Sequence, residues 1–401
     1  MKEKIKALAQ KFYPEVVELR RTIHANPELS GEEKNTAALV ANKLRTLGFE
    51  VTEGIAKHGV VGLLKCNHPD TKCVALRADM DALPIQENSK QPYCSKVDGV
   101  MHACGHDVHT ANLLGVAMIL ADLKNELTGT YKFIFQPSEE KIPSGAAAMI
   151  AEGVLNNPKV DSIIGLHVSP ELEAGIFGFC AGKFMASSDE VYLSVIGKGG
   201  HAARVEELKN PLLISAEVLL ALKEITNPQI PVVLSFGKIE GKGATNIVPD
   251  VVEIAGTLRC FDETLRAQLH KDITLRAETT AEKYLARCEV NILKGYPVLI
   301  NDDEFTETLY HAAHDYLDGD QAIPVPSRMG SEDFAYYTHH VPACFYRLGV
   351  GNNKKGITSG LHTPTFDIDE NALYSPPSIS IFSKDTFSIF SSLNNESNVI
   401  D

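Results

Sequence analysis

Apolar residues near the start of the chain recur at the spacing of an α-helix. They are Ile5, Leu8, Phe12, Val16, Leu19 and Ile23. This pattern predicts a helix that Pro14 is expected to kink or break. A second helix is predicted after Ser30–Glu33, whose Ser-x-x-Glu spacing is that of a capping box. Gly48 stands where a C-cap glycine belongs.

Short apolar runs then alternate with helical stretches. Such alternation predicts an α/β domain, in which helices cover the faces of a sheet. The predicted strands are Val60–Leu64, Cys73–Leu76, Tyr131–Phe135 and Ser162–Leu166, and the predicted helices are Thr110–Leu123 and Gly145–Leu155.

From about Asp189 the order of elements changes to β-α-β-β-α-β, which is typical of a ferredoxin-like unit. The α/β rhythm returns after residue 299. We therefore predict a first domain in two parts, residues 1–187 and 299–401, with an inserted domain at 188–298. The predicted elements of the insert are Glu190–Ile196, Pro211–Ile225, Pro231–Phe236, Val251–Leu258, Glu263–Leu285 and Glu289–Leu293, followed by a helix at Phe305–Tyr316 and a strand at Cys344–Leu348.

The segment after Ala372 has a different character. It is rich in Ser and Asn, contains two adjacent prolines, and lacks the amphipathic helix expected to close an α/β domain. We expect it to be weakly structured or locally aberrant.

The charge balance excludes one group of functions. The 401 residues include 38 Lys and Arg against 52 Asp and Glu, which gives a net charge of −14. We expect no nucleic acid or anionic membrane surface as a partner, because such a chain is repelled by both. No apolar run approaches the ~18 residues that span a bilayer.

The N-terminus and the cysteines indicate where the chain resides. The first 24 residues carry charges throughout and lack the apolar core of a secretion signal. Eight Cys in this length do not form a disulfide scaffold. We predict a cytoplasmic protein with reduced thiols, in which a special Cys is a metal ligand or a nucleophile.

The densest chemical signal is the run from His102 to His109. It holds three histidines and Cys104 within eight residues. In an extended segment, Cys104 and His106 face the same side and can reach one metal ion, and sulfur with imidazole nitrogen suits Zn²⁺. The alternative is a polar loop with a chance cluster of histidines.

Other candidate residues follow predicted strands. For Glu139 and Glu140 the functional interpretation is that one carboxylate binds a metal while the other takes a proton from an activated water. The alternative is a solvated helix start. Asp79 and Asp81 fit either a polar strand end or carboxylates that orient a metal ligand. His167 fits either a ligand or a buried, hydrogen-bonded histidine, and His362 either a ligand or a loop residue.

Their shared position favours function. Asp79, Asp81, Glu139, Glu140 and His167 are each predicted just beyond a strand end. In open α/β sheets, sites form in the crevice at the carboxyl ends of the strands. A thiolate, imidazoles and carboxylates at that edge indicate metal-assisted hydrolysis.

The chain also resembles the co-catalytic metallopeptidase family of aminoacylases and dimetal carboxypeptidases. It is most similar to the amidohydrolase branch that contains hippurate hydrolases, N-acyl-amino-acid amidohydrolases and plant auxin-conjugate hydrolases. The matching stretches cover nearly the whole chain and include RADMDALPIQE, HACGHDVHT, FQPSEE, GLHV, GKGGHAA, TNIVPD, GTLRCFD, GSEDFAYY and LHTPTFDIDENAL.

The resemblance implies a fold and a set of roles. The fold would be a zinc-peptidase-like catalytic domain with a central mixed sheet, carrying an inserted lid domain. Glu139 would be the general base and acid, and His201 would help to stabilise the oxyanion. Asn246 and Arg259 would bind substrate. Two divalent ions would be held by Cys104, His106, Glu140, His167 and His362, and Asp81 would orient one of these ligands without binding a metal itself.

These observations predict a metal-dependent amidohydrolase that cleaves N-acyl amino acids or similar small conjugates. The alternatives are a small-peptide carboxypeptidase or dipeptidase with the same metals, and a catalytically silent binding homologue. Cys104 favours Zn²⁺, while Mn²⁺ or Co²⁺ would also suit the His and Glu ligands. A homodimer through the inserted domain is left open.

Overall fold

A computed structural model of the chain describes residues 1–317 and 319–374. The helices are α1 Lys2–Ala25, α2 Lys34–Thr46, α3 His106–Asp122, α4 Gly145–Ala151, α5 Pro211–Lys223, α6 Glu263–Glu282, α7 Asp303–Tyr316 and α8 Ala335–Thr338. The strands are β1 Glu50–Ile55, β2 Gly59–Lys65, β3 Cys73–Asp79, β4 Thr130–Gln136, β5 Ser162–Glu173, β6 Phe177–Phe179, β7 Gly182–Met185, β8 Asp189–Ile196, β9 Gly200–His201, β10 Val232–Gly241, β11 Ile247–Val248, β12 Val251–Cys260, β13 Arg287–Lys294, β14 Leu299–Asn301, β15 Ala322–Pro324 and β16 Ala343–Gly351.

These elements form two compact units. Unit 1 consists of Met1–Gly182, Ile300–Pro326 and the described residues from Tyr336 onward. Unit 2 consists of Lys183–Leu299 and Ser327–Ala335. The short second segment of unit 2 has no counterpart in the domain boundaries predicted from sequence.

Unit 1 is built on a mixed eight-stranded sheet with the order β1-β2-β4-β3-β5-β16-β6-β15. Its central strands β4, β3, β5 and β16 are mutually parallel. All seven residues of β3 and of β4 are buried. Near-continuous burial of this kind is characteristic of parallel strands covered on both faces.

Helix α3 lies inside the core of unit 1. Its residues from His106 to Leu120 are all buried, and it packs against α1 and β3. A helix with no polar face is stable only when other elements surround it. The first turn of α3 is therefore a rigid place for polar side chains that need a fixed geometry.

Unit 2 contains a four-stranded antiparallel sheet with the order β10-β12-β8-β13. In β8 the buried positions alternate with more exposed ones, so one face of this sheet carries the core. The apolar sides of α5 and α6 contribute to the same core through residues such as Val218 and Ile273. Chain order and strand order are those of a ferredoxin-like unit, which confirms the predicted fold class.

Two helix predictions need correction. Helix α1 continues through Pro14, so the predicted break does not occur, and its apolar stripe is buried on both sides of the proline, at Ile5 and Val16. Ser30 does not cap α2, whose N-cap is Glu33. The Ser30 hydroxyl instead donates to Asp81, at 2.7 Å. Gly48 follows the C-cap of α2 with a φ of 81°, as predicted.

Two further findings bear on the sequence-based predictions. Within the described residues, none of the helices is both long and apolar enough to cross a membrane. A short 3-10 helix at Glu370–Tyr374 ends the described chain. The tail predicted to be weakly structured begins at Leu373, so Leu373 and Tyr374 lie in this 3-10 helix, and the rest of the tail lies outside the described residues.

Candidate metal centre

The carboxyl ends of the parallel strands in unit 1 define one edge of the sheet. Register pairs Asp79, the last residue of β3, with Gln136, the last residue of β4. Arg77 pairs with Gly165 of β5, so His167 lies level with Asp79 two residues further on. The strand at His167 does not end where the sequence predicted, because β16 continues to pair with β5 beyond it. His167 nevertheless reaches the edge, since the adjacent strand β3, and β4 on the far side of β3, both stop there.

A sharp turn at Gly105 brings Cys104 and His106 together. Gly105 has a φ of 82° and caps α3, and His106 is the first helical residue. The expectation that Cys104 and His106 share an extended segment is therefore wrong. The backbone between them is left-handed at Gly105, a conformation that only a residue tolerant of positive φ adopts at low cost.

The predicted ligands of unit 1 converge around the sulfur of Cys104. Its Sγ lies 3.4 Å from Nε2 of His167 and 3.2 Å from Nε2 of His362. Oε1 of Glu140 lies 3.3 Å from Nε2 of His362 and 3.9 Å from Nε2 of His106. Two groups of potential ligands result, Cys104–His106–His167 and Cys104–Glu140–His362, with ligand atoms within 4.8 Å of one another in each. Cys104 belongs to both.

Glu139 and Glu140 are held at this place by other carboxylates. The buried side chain of Glu33 accepts hydrogen bonds from the backbone N–H groups of Gly31 and Ser138, both at 2.8 Å. Asp81 accepts one from the N–H of Glu140, at 3.0 Å. Glu139 is 6% exposed and forms a third potential metal-binding group with His106 and Glu140.

Asp81 also orients His106. Its Oδ1 lies 3.1 Å from Nδ1 of His106, which therefore acts as the donor nitrogen. The lone pair of Nε2 is then left for a ligand, as is usual for metal-binding histidines. Nε2 of His106 has no hydrogen-bond partner among the described residues.

His109 holds the strand that carries His167. The backbone N–H of Val168 donates to Nε2 of His109 at 3.0 Å, and Nδ1 of His109 lies 2.5 Å from Asp79. His167 in turn donates from Nδ1 to the carbonyl of Val168, at 2.7 Å. This contact leaves Nε2 of His167 on the side of Cys104.

The electrostatics of the cluster favour a cation. Burial alone would lower the pKa of His106, but the carboxylates of Asp79, Asp81 and Glu140 raise it to about 10. Burial raises the pKa of the Cys104 thiol well above its usual range, and Glu140 and Glu139 add to the rise. The hydrogen bond with Glu140 raises the pKa of His362. The carboxylates contribute to each of these shifts, and a bound divalent ion would offset their negative charge.

The residues fit a metal centre on chemical grounds as well. One thiol, three imidazoles and a carboxylate are the donor types that zinc-type ions bind in proteins. Nε2 of His106 is buried without a hydrogen-bond partner in the described part of the chain. Buried polar atoms left in this state usually have a missing partner such as an ion or a water.

The predicted residues of unit 2 are placed within that unit as follows. His201 lies on β9 and pairs with Ile247 of β11. The carbonyl of Asn246 accepts a hydrogen bond from Ala202 at 3.0 Å, so Asn246 and His201 are neighbours. Arg259 lies on β12 and donates to the hydroxyl of Ser331. Burial lowers the pKa of Arg259.

Two supporting residues were not assigned a role from sequence. Glu33 was interpreted as part of a capping box, and His109 only as one of a cluster. The three-residue spacing of His106 and His109 would have placed both on one face of α3, had the helix been predicted to start early enough. Glu33 offers no comparable signal, because its partner Ser138 lies 105 positions away in the chain.

An α/β sheet with such a cluster at its carboxyl edge defines a metal-dependent hydrolase. The sequence matches Peptidase family M20/M25/M40 over residues 75–375. It is 39% identical to thermostable carboxypeptidase 2 of Saccharolobus solfataricus, over 92% of this chain and 95% of that protein. It is 36% identical to an N-acetyl-L-cysteine deacetylase of Bacillus subtilis, over 90% and 85% of the two chains.

A solved structure gives the same result. The YXEP protein of Bacillus subtilis, described as a dinuclear metal binding peptidase from the M20 family, superposes with a TM-score of 0.78. It is 33% identical, over 92% of this chain and 96% of the other. The chain belongs to peptidase family M20/M25/M40. The sequence-based predictions of family, fold class and metal-dependent amide hydrolysis are confirmed.

Proposed function

We propose that the protein hydrolyses the amide bond of N-acyl amino acids or similarly small conjugates. One observation carries the proposal: Glu139 lies beside two potential ligand groups that share Cys104. A carboxylate next to metal ligands is the arrangement that general base catalysis of hydrolysis requires. The relative named N-acetyl-L-cysteine deacetylase supports an acyl group on an amino acid as the substrate class.

The proposed cofactor is a pair of divalent ions. Cys104, His106 and His167 would hold one, and Cys104, Glu140 and His362 the other, with the thiolate common to both. The dinuclear relative supports this number. The sulfur ligand favours Zn²⁺, and Mn²⁺ or Co²⁺ remain suitable for the nitrogen and oxygen ligands.

The mechanism assigns distinct tasks to the chain's own residues. When bound, the ions would supply Lewis acidity, which makes water a better nucleophile and the amide carbonyl a better electrophile. Glu139 takes the proton from the attacking water and returns it to the departing nitrogen. Asp81 keeps His106 in the tautomer that exposes Nε2. Glu33 holds the loop at Ser138 and so fixes the place of Glu139.

His201, Asn246 and Arg259 are proposed to act on the substrate. His201 would stabilise the oxyanion, and Asn246 and Arg259 would bind the substrate's oxygen and carboxylate. An Arg fork pairs bidentately with a carboxylate, which is why Arg259 suits an amino-acid product. Replacement of Arg259 by Lys should raise KM for N-acyl amino acids more than for the corresponding acyl amides that lack the carboxylate.

Replacing Glu139 by Gln tests the proposal. The variant keeps the shape of the side chain but cannot accept a proton, so kcat should fall by about 10²–10⁴-fold. Metal content, measured by elemental analysis, should stay at the wild-type level. The substrates are a panel of N-acetyl and N-benzoyl amino acids, with chelator as control. Full activity of Glu139→Gln with its metals bound would refute the mechanism.

A small-peptide carboxypeptidase is the second candidate. It is favoured by the 39% identity to a protein named thermostable carboxypeptidase 2. Extending the same panel with dipeptides and N-blocked dipeptides separates the two candidates. The amidohydrolase should release free amino acid only from the N-acyl amino acids, and the carboxypeptidase only from the peptides. A silent binding homologue would release none from either set.

Two finer predictions also stay proposals. A homodimer through unit 2 is supported by exposed apolar residues on α5, with Leu213 and Leu220 68% and 60% exposed. A cytoplasmic location is supported by the eight cysteines, all of which are free thiols. Light scattering and cell fractionation test them, respectively.

A further inference from the structure

One buried arginine in unit 1 touches two of the segments that carry the proposed ligands, those of His106 and His362. Arg20 lies on α1 and is fully buried. Its Nε donates to Asp107 at 2.7 Å, and its Nη2 donates to Asp367 at 3.2 Å. Asp107 is the neighbour of His106 at the start of α3, and Asp367 lies in the loop that follows His362.

We propose that Arg20 is a positioning residue that holds His106 and His362 at the spacing a pair of metal ions requires. The inference rests on the proposed two-metal function and deepens it. The planar guanidinium has donors in two fixed directions, so it can bind two carboxylates at a set angle. A lysine at the same place carries the charge but has no such fork.

Further contacts make this arrangement rigid. His24, one turn along α1, has its Nδ1 2.8 Å from the same Oδ2 of Asp107. Tyr93 lies against the guanidinium, 4.7 Å from ring centroid to Cζ, and its hydroxyl donates to Asp367 at 3.2 Å. Arginine, both carboxylates and the ring therefore form one connected group, with Arg20 and Asp107 buried and Asp367 and Tyr93 partly buried. A displacement of one member displaces the others.

The two sides of the metal centre depend on Arg20 to different degrees. His106 belongs to the buried helix α3 and is also oriented by Asp81. The side chain of His362 is 53% exposed, on a loop residue with a φ of 58°. Loss of the Arg20 guanidinium should therefore weaken binding of the ion that His362 helps to hold more than binding of the other ion.

The chain offers a matched control in the next residue. Arg21 also lies on α1 and makes two hydrogen bonds to Glu370, at 2.8 and 2.6 Å. Its side chain is 39% exposed. Arg21→Lys and Arg20→Lys make the same chemical change one position apart, but only Arg20 contacts Asp107 and Asp367.

The experiment titrates metal-free protein with Co²⁺ or Zn²⁺ against a chromophoric chelator and resolves the first and second equivalents. In Arg20→Lys we expect the first equivalent of metal to bind nearly as tightly as in wild type. The second equivalent should bind roughly 10–100-fold more weakly, which is the usual effect of losing a residue that orients a metal ligand. The Co²⁺ absorption spectrum of the second equivalent should change as well. Arg21→Lys should match wild type.

Asp367→Asn provides a second test should Arg20→Lys not fold. It keeps the shape of the side chain and leaves Arg20 paired with Asp107, and the same selective loss is expected. The inference would be overturned if the variants bound each of the two ions as tightly as wild type does. A lower melting temperature of the metal-free variants with unchanged metal affinity would also overturn it. Wild-type protein that binds fewer than two ions would instead refute the proposed function, and the inference with it.

Discussion

Single buried carboxylates organise both units. Asp81 in unit 1 accepts hydrogen bonds from Ser30 and from the N–H of Glu140, and it orients His106. Asp189 in unit 2 accepts from Nε of Arg266 at 2.9 Å and from the N–H of Gly295 at 3.1 Å. A buried charge is tolerated only when it is paired in this way. Each of these residues therefore fixes several chain segments at once.

Asp189 should make the stability of unit 2 depend on pH. Burial alone would raise its pKa, but hydrogen bonds from Arg266 and His270 hold the pKa at about 2. The unfolded pKa is about 3.9. Because the folded value is the lower one, this stabilisation is complete well above pH 4 and is lost as the pH falls toward 2. By linkage, about 1 kcal/mol should be lost between pH 6 and pH 3.

Hydrogen exchange of the β8 and β13 amides, measured at pH 6 and pH 3, tests this expectation. The control is Asp189→Asn, which lacks the titrating group. Its opening free energies should be smaller at pH 6 and should fall less toward pH 3. Identical pH dependence in wild type and variant would show that Asp189 does not contribute in this way.

At the scale of elements, the turn into α3 decides the geometry of the metal centre. Gly105 adopts the left-handed conformation between Cys104 and His106, and a Cβ at this position would lie 2.6 Å from Cγ2 of Val168. Val168 follows His167 on β5. A side chain at Gly105 would therefore push against the strand that carries another proposed ligand.

The substitution Gly105→Ala should destabilise unit 1 and weaken metal binding. Positive φ alone costs about 1–2 kcal/mol, and the contact with Val168 adds about 1–3 kcal/mol. Gly48→Ala is the control, since Gly48 has a similar φ of 81° but no atom within 4 Å of the added Cβ. Urea unfolding and metal titration of both variants provide the comparison. Equal losses in the two would mean that the Val168 contact has no effect.

At the scale of the whole molecule, the proposed metal ligands all belong to unit 1. Metal should therefore act as a ligand of that unit's folded state. Saturation at about 1,000 times Kd stabilises a folded state by about 4 kcal/mol. Removing the metal should lower the stability of unit 1 selectively.

Hydrogen exchange with and without chelator measures this effect. Amides of α3 and β5 should lose protection on chelation, and added Zn²⁺ should restore it. Amides of β8 and β12 in unit 2 provide the internal control and should change little. Comparable loss of protection in both units would contradict a metal site confined to unit 1.

Local sequence patterns predicted most of the long helices and strands. The predictions failed where contacts with residues distant in the chain determine the structure. The apolar period of α1 was detected, but the tolerance of Pro14 depends on burial along the whole helix. The capping role of Ser30 was wrong, because Asp81 provides its hydroxyl with a partner 51 positions away. The strand at His167 was predicted too short, because β16 pairs with β5 beyond it.

The residue types of the candidate site were determined by the sequence alone. Cys104, His106, Glu139, Glu140, His167 and His362 stand in recognisable motifs, since chemistry demands particular donor atoms at short spacings. Tertiary structure decided which atoms meet. These contacts join residues far apart in the chain: the shared position of Cys104, the tautomer of His106 imposed by Asp81, the hydrogen bond of His109 to Val168, and the link through Arg20. Such contacts form only when strand register and helix packing bring the segments together, and no local pattern encodes them.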